Sequence, residues 1–402
     1  MPALSKANQN APRSRRMMLT IFSVVLAVTA GAALYHLQSQ SSRIDQSTSL
    51  SKLQELANAG SVNPDVYYYL GLKFKQTGDV ENARNAFAHA ASLTDKDDVY
   101  VAWASCTSDT EALTILTSYL AGHPQSFTGH LALAQLFAQR DDQAHCNEEA
   151  FKAVKIKQDS HDAWQLYGDS SLATANFQAA VDAYGKAMNL APHIVHDSAG
   201  LAAALGELGQ TAKALQILDD ATKFAPQDAT SWIALGKLEL DSAKTEDDLA
   251  KSQAHLERGT ALAPTLSPGK LILAQCLIRR SKWSEAVSAL LQAKHALPDD
   301  PSLYFLLAQA YRQLNKPAQE KDALARHDKL TQFEADRTAL QLQAGTGSAT
   351  DLPLKIARLA SRAGAYHTAI PLYKAALSQA PGDGDIRRAL AEAEQRVKDD
   401  GL

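Results

Sequence analysis

The sequence predicts an all-α protein built of repeated antiparallel helix pairs, and three observations lead to this prediction. Alanine and leucine dominate the 402 residues and β-branched residues are few, which favours helix throughout. Several amphipathic stretches share one ending, as in "FQAAVDAYGKAMNLAP" at 177–192 and "VSALLQAKHALP" at 287–298. The prolines that close these stretches recur at a spacing near 34 residues, at Pro124, Pro192, Pro226, Pro264 and Pro298.

Aromatic and small residues follow the same period. Trp164 and Trp232 are 68 residues apart, which is twice 34. The dipeptide Leu70-Gly71 returns as Tyr167-Gly168, Leu201-Ala202, Leu235-Gly236, Leu273-Ala274 and Leu307-Ala308. Because independent features share one period, the chain is predicted to repeat one structural unit of two helices joined by a tight turn.

The pattern resembles the tetratricopeptide repeat, whose motif places a Trp, a Leu-Gly pair and a Tyr before an Ala, an aromatic residue, a second Ala and a Pro. The repeat that starts at His161 supplies Trp164, Tyr167, Gly168, Phe177, Ala180, Tyr184, Ala187 and Pro192. The resemblance implies a right-handed superhelical solenoid of antiparallel helix pairs.

The motif positions also have a direct physical meaning. Small residues such as Gly168, Ala180 and Ala187 suit the places where helix axes approach closely, and Tyr184 fills the space beside them. Gly209 and Gly364 suit the turn between the two helices of a pair. Proline ends the second helix because its ring cannot continue one.

Nine such units are predicted over about 64–398, and some depart from the pattern. The second unit, 98–126, is short and has a compressed turn. The unit from Ala229 carries four extra residues, which predict a longer and more polar loop. Residues 319–343 contain no Pro or Gly and predict one long helix, and "DIRRALAEAEQRVKD" predicts an amphipathic capping helix.

The N-terminus predicts a membrane anchor. Residues 1–16 carry four basic residues and no acidic one, and Met17 to Tyr35 carry no charge. That run is about 28 Å long as a helix, close to the ~30 Å hydrocarbon core of a bilayer. An uncleaved signal anchor with a cytoplasmic N-terminus is preferred, while a cleaved signal peptide and a twin-arginine export signal are the alternatives. Each of the three places the repeats outside the cytoplasm, in the periplasm for a bacterial protein.

These features predict a domain organisation in six parts. They are a basic cytoplasmic segment at 1–16, a transmembrane signal anchor at 17–36, a tether and leading helix at 37–63, a repeat array with an extended last helix at 64–343, a linker at 344–349, and a C-terminal repeat with a capping helix at 350–402.

No catalytic, cofactor or metal motif stands out from the repeat pattern, so the protein is predicted not to be an enzyme and to need no cofactor. The three cysteines, Cys106, Cys146 and Cys276, are scattered and suit small buried positions. The pairs His193 with His196 and His145 with Cys146 are weak metal candidates at structural or solvent-facing positions. The net charge of −4 argues against a nucleic-acid partner.

The resemblance places the ligand groove on the first helix of each pair. In the late repeats the matching positions are rich in glutamine and arginine and poor in acids. The candidate groove residues are Gln275, Arg279, Phe305, Gln309, Arg312, Lys355, Arg358 and Arg362. Arginine and glutamine in this pattern predict that the groove binds a protein or peptide, in particular an extended segment with acidic groups.

The leading functional interpretation is a membrane-anchored extracytoplasmic scaffold that mediates protein–protein interaction in an envelope complex. The alternative is a cleaved, soluble periplasmic or secreted accessory subunit of a polysaccharide-secretion, pilus-type or enzyme assembly. The resemblance gives a mode of binding and does not identify the ligand.

Overall fold

The computed structural model describes residues 44–192, 194–265, 267–344 and 352–399, and all regular secondary structure in these ranges is helical. The chain divides into two compact units at Arg140. The N-terminal unit holds six described helices: α1 (Leu50–Asn58), α2 (Pro64–Gln76), α3 (Val80–Ala91), α4 (Asp97–Ala104), α5 (Asp109–Gly122) and α6 (Phe127–Gln139).

The C-terminal unit holds fourteen described helices. The first seven are α7 (Gln143–Ile156), α8 (His161–Ala173), α9 (Phe177–Leu190), α10 (Val195–Glu207), α11 (Thr211–Phe224), α12 (Ala229–Ser242) and α13 (Glu246–Leu262). The others are α14 (Ser267–Arg279), α15 (Trp283–Lys294), α16 (Pro301–Gln313), α17 (Pro317–Ala344), α18 (Leu352–Ala363), α19 (Tyr366–Gln379) and α20 (Gly384–Asp399).

In the C-terminal unit, neighbouring helices pack in the order of a solenoid. The two helices of each pair contact each other, and the second helix of a pair contacts the first helix of the next. The first helices α8, α10, α12, α14 and α16 also contact one another in succession. The all-α solenoid predicted from the sequence is therefore confirmed.

Large side chains of second helices pack into the spaces left by glycines of first helices. A Cβ atom added at Gly168 would lie 2.9 Å from Cε1 of Tyr184, and one added at Gly71 would lie 2.6 Å from Cε1 of Phe87. Tyr184 and Phe87 are fully buried, as are Ala180 and Ala187. The predicted close approach at the small residues is confirmed, because these rings leave no room for a side chain on the facing helix.

A hydrogen bond recurs between consecutive repeats, from the fourth residue of a repeat to a backbone carbonyl six residues earlier. Trp164 Nε1 donates to the Gln158 carbonyl over 2.8 Å, and Trp232 Nε1 donates to the Pro226 carbonyl over 3.1 Å. The other members of the set are His130 to Pro124, Tyr304 to Pro298 and Arg387 to Pro381. The side chain thus satisfies a carbonyl oxygen in the turn where the previous repeat ends.

The turn between the two helices of a pair contains one residue with left-handed backbone. This residue occupies the same place in seven repeats, with φ between 53° and 80°. The seven are Gly78, Asp141, Ala175, Gly209, Ser281, Asn315 and Gly364. Four of them are not glycine, so their side chains are held in a conformation that costs about 1–2 kcal/mol.

The irregular repeats differ from the pattern in helix length. Helix α4 of the short second repeat has 8 residues, whereas most first helices have 13. The predicted longer loop after Ala229 is wrong, because the extra residues lengthen α13 to 17 residues. Thr245 and Asp248 form a capping box that starts α13 early and keeps the turn short. The long helix predicted over 319–343 is present as α17, with 28 residues.

The predicted single-pass membrane localisation is corrected by the structure. Among the described residues, no helix is both long enough and apolar enough to cross a bilayer. Helix α17 has the length, but charged residues such as Lys321, Arg326 and Asp336 recur along it, and a membrane span must be almost free of charge. The segment 17–36, from which the anchor was predicted, lies outside the described residues.

Replacement of Ala175 by glycine tests the left-handed turn. Ala175 is exposed and has φ of 58°, so Ala175→Gly removes the cost of that backbone without creating a cavity. Part of the gain is offset because glycine is freer in the unfolded chain. We expect the free energy of unfolding to rise by about 0.5–1 kcal/mol in urea titrations. Ala325→Gly, at an exposed position inside α17, should instead lower it by about 1 kcal/mol; a loss at both positions would contradict the argument.

Replacement of Trp232 by phenylalanine tests the bond between repeats. Trp232→Phe keeps an aromatic ring but removes the indole N–H that donates to the Pro226 carbonyl. We expect a loss of about 1 kcal/mol in the free energy of unfolding, measured by chemical denaturation. The matched control is Trp283→Phe, since the Trp283 indole makes no hydrogen bond within the described residues. Equal losses in the two variants would show that ring size, and not the hydrogen bond, matters.

Candidate functional site

The eight residues predicted to line the groove all lie on first helices and are all exposed. Gln275 and Arg279 are on α14, Phe305, Gln309 and Arg312 are on α16, and Lys355, Arg358 and Arg362 are on α18. On each helix their spacing is three, four or seven residues, which places them on one face. Because α14 and α16 contact each other, their exposed faces lie side by side.

Two of the predicted arginines are already bound within the fold. The Arg279 guanidinium donates to the backbone carbonyls of Leu240 and Ala243, at the end of α12. Arg312 Nε donates to Glu320 Oε1 over 2.6 Å, an ion pair between the two helices of one repeat. Arg279 therefore satisfies the open carbonyls of a helix C-terminus, and Arg312 is neutralised by its own repeat.

Phe305 gives this face an apolar element. Its side chain is 52% exposed and its ring lies 5.5 Å from the ring of His327, between centroids. His327 in turn donates from Nδ1 to the Pro301 carbonyl over 2.9 Å, which fixes its ring. Gln275 and Gln309, on either side, make no hydrogen bond within the described residues. The face of α14 and α16 thus offers one exposed aromatic ring and two free amides.

Helix α18 carries three cations on one exposed face. Lys355, Arg358 and Arg362 are spaced by three and four residues, so they form one row along the helix. In the described part of the chain, none of the three takes part in an ion pair or a hydrogen bond. Among the cations of the predicted groove residues, these three have no partner in the described part of the chain, whereas Arg279 and Arg312 do. We call the three the α18 cation row.

The position of α18 is fixed from two sides. Helix α18 packs on α17, as each earlier first helix packs on the second helix before it. Arg326 of α17 donates to the carbonyls of Ala363 and Gly364 where α18 ends. Asp299 accepts from both the backbone N–H and the hydroxyl of Thr368, over 2.9 and 3.0 Å. These bonds hold the last repeat against the start of α16 and so present the α18 cation row in a set orientation.

The middle repeats contain a feature that the sequence did not indicate. A cleft of about 250 Å³ opens between α10 and α12. Ala199, Ala203 and Gly206 leave it open on one side, and Lys237 and Asp241 form an ion pair of 2.8 Å on the other. The small residues of α10 do not predict the cleft by themselves, because the depth of the cleft depends on the side chains of both α10 and α12.

The cysteines and histidines sit in structural surroundings. The three cysteines are free and buried, and burial raises the pKa of the Cys146 and Cys276 thiols. His145 pairs with Asp142 over 2.8 Å and His196 pairs with Asp169 over 2.7 Å. In the ranges described above, no group of three or more His, Cys, Asp or Glu side chains has an arrangement suited to a metal ion. His193 lies outside those ranges.

Comparison with known proteins identifies the fold. No protein-family model matches the sequence, and no curated protein matches it. A solved tetratricopeptide-repeat protein from Parabacteroides merdae has a TM-score of 0.50 and 14% identity, over 61% of this chain and 98% of its own. PilF of Pseudomonas aeruginosa has a TM-score of 0.40 and 16% identity, over 61% of this chain and 97% of its own. A thermophilic tetratricopeptide-repeat protein of Thermus thermophilus has a TM-score of 0.36 and 18% identity, over 59% of this chain and 100% of its own.

The Parabacteroides merdae structure matches along nearly its whole length, so the chain has the tetratricopeptide-repeat fold. The resemblance read from Trp164, Gly168, Tyr184 and Pro192 is confirmed at the level of the fold.

Proposed function

We propose that this protein is a scaffold for protein–protein interaction whose C-terminal unit binds an extended acidic segment of a partner protein. The segment would lie along the exposed faces of α14, α16 and α18. The tetratricopeptide-repeat fold supports the scaffold role, because stacked helix pairs offer extended surfaces for binding. The observation that carries the acidic partner is the α18 cation row.

The electrostatics of this face favour carboxylates. Lys355, Arg358 and Arg362 are exposed and unpaired within the described residues, and the groove positions of α14, α16 and α18 contain no acidic side chain. An arginine guanidinium can donate two parallel hydrogen bonds to one carboxylate, which fixes direction as well as charge. The three cations therefore suit two or three acidic side chains of one segment.

The neighbouring helices provide complementary contacts. Gln275 and Gln309 have free amide donors and acceptors, which match the unpaired backbone groups of an extended chain. Phe305 offers a half-exposed ring for one apolar side chain of the partner. Arg279 and Arg312 contribute less, because the first is bound to carbonyls and the second to Glu320.

Charge reversal on α18 tests the proposal. The probe is a fluorescein-labelled decapeptide of Glu and Gly, compared with its Gln and Gly counterpart, and binding is measured by fluorescence anisotropy. Arg358→Glu with Arg362→Glu should weaken binding of the Glu peptide by at least about tenfold, which corresponds to ~1.4 kcal/mol. Added salt should weaken binding to the wild type, because exposed charges are screened.

Arg396→Glu is the matched control, since Arg396 is an exposed arginine of α20 without an ion pair among the described residues. It changes the net charge in the same direction but leaves α18 intact. If Arg396→Glu weakens binding as much as a single reversal on α18, the peptide responds to net charge and the proposed site is wrong.

Release of Arg312 gives a second test in the opposite direction. Glu320→Gln removes the carboxylate that pairs with Arg312, so the guanidinium becomes available on the face that carries Phe305 and Gln309. We expect a gain in affinity for the Glu peptide of about 0.2–1 kcal/mol, the usual range for an exposed ion pair. Glu285→Gln, which frees the half-buried Lys282 elsewhere, should leave the affinity unchanged; equal gains would contradict a role for Arg312.

A further inference from the structure

Two histidine–aspartate pairs cross the same junction between the fourth and fifth helix pairs, in opposite directions. His161 at the start of α8 reaches Asp197 of α10, with 2.7 Å between Nε2 and Oδ2. His196 at the start of α10 reaches back to Asp169 of α8, with 2.7 Å between Nε2 and Oδ1. The two pairs therefore tie the same two helices together at two points.

The acids of this junction have few other partners. Asp197 is fully buried, and besides His161 it accepts only from Gln165 Nε2, over 3.0 Å, in the described part of the chain. Asp169 accepts from the hydroxyl of Tyr184 over 2.6 Å in addition to His196. Neither acid is paired with a lysine or arginine there. A buried carboxylate needs a compensating charge, and here only the imidazolium of a histidine can supply it.

We propose that His161 and His196 form a proton-operated clasp that holds the fourth and fifth helix pairs together when both are protonated and loosens their junction when they are neutral. A neutral imidazole has a single N–H. Both ring nitrogens of His161 face carboxylates, Asp197 at 2.7 Å across the junction and Asp162 of its own helix at 3.2 Å. The single N–H of the neutral ring can serve only one of them, so Asp162 then competes with Asp197 for it. His196 can keep its bond to Asp169, but without the strength that charge gives.

The charged groups around the two histidines all favour the protonated form of the imidazoles. The titratable side chains that hydrogen-bond or pair with them or with their acids are Asp162 and Asp169 of α8, Tyr184 of α9 and Asp197 of α10. From α7, the buried thiol of Cys146 faces Asp169; within the described residues, α11 and α12 form no hydrogen bond or ion pair with these groups. Burial and the nearby Asp169 raise the pKa of Tyr184, so it stays a neutral donor. Every ionised neighbour is therefore negative.

The pKa shifts agree with this geometry. Burial opposes the charging of His161, but its hydrogen bonds to Asp197 and Asp162 outweigh burial and raise its pKa. The hydrogen bond to Asp169 raises the pKa of His196. A pKa raised on folding gives stability that is complete below the unfolded value of about 6.5 and is lost as the pH rises through the folded value. The junction should thus be tightest at mildly acidic pH and open towards alkaline pH.

Hydrogen exchange of backbone amides in the full chain tests the clasp. Protection of α8 and α10, corrected for the intrinsic exchange rate, should fall between pH 6 and pH 9 by up to about tenfold per pH unit for each proton released. Protection of α14 and α15 should change less. The double variant His161→Gln with His196→Gln replaces both imidazoles by neutral amides that do not titrate. Protection of α8 and α10 should then no longer depend on pH. An unchanged pH dependence in this variant would overturn the proposal.

Two further measurements guard against a merely structural effect. His255→Gln removes another histidine–carboxylate pair, which His255 forms with Glu239 of the same repeat. This variant should leave the pH dependence of hydrogen-exchange protection in α8 and α10 unchanged. In the wild type, NMR titration of the imidazoles should give pKa values for His161 and His196 above the ordinary value. Ordinary or lowered values would overturn the proposal even if the double variant fails to fold.

Discussion

Each regular helix pair depends on one residue that reverses the chain with left-handed backbone. That residue stands at the same place in seven repeats, and its φ stays within 53–80°. A fixed reversal sets the angle between the two helices, and so it decides which residues face each other. The contact of Tyr184 with Gly168, which lie on either side of the turn at Ala175, requires this register. The two repeats without such a residue, the second and the sixth, both depart from the usual helix lengths, whereas the eighth repeat keeps the left-handed Asn315 although its α17 has 28 residues.

The sequence predicted the repeated helix pairs because their signals are periodic and chemically specific. Proline stops, glycines at close contacts and aromatic fillers each have one physical use, and their shared spacing excludes coincidence. The turn residues were predicted only in part. Gly209 and Gly364 were identifiable, but Ala175 and Ser281 carry no intrinsic preference for left-handed backbone, since the packing of the helices imposes it. The extra residues after Ala229 entered a helix because a local cap outweighed their polar composition.

For the candidate site, the sequence did not predict the partners of the charged side chains. The resemblance selected positions on the first helices, and the side chains there are exposed because helical periodicity places them on one face. It did not predict which charges would be free. Arg279 is bound to carbonyls 36 and 39 residues away, and Arg312 is bound to an acid on the next helix. Such partners depend on tertiary distance, and no pattern within α14 or α16 encodes them. The binding role of the groove residues remains a proposal that rests on charge and exposure.

The C-terminal helix α20 repeats one detail of the helices before it. Arg387, its fourth residue, donates to the Pro381 carbonyl over 2.7 Å, as Trp232 does to Pro226. Helix α20 thus occupies the place of the first helix of another pair, and it is the last helix of the described residues. The contact of α20 with the preceding repeat is therefore built like the internal junctions, and its exposed side carries polar residues. A duplication that added one helix pair after Pro381 could use the same bond and leave every earlier contact unchanged, which gives the fold a structural route to a longer solenoid.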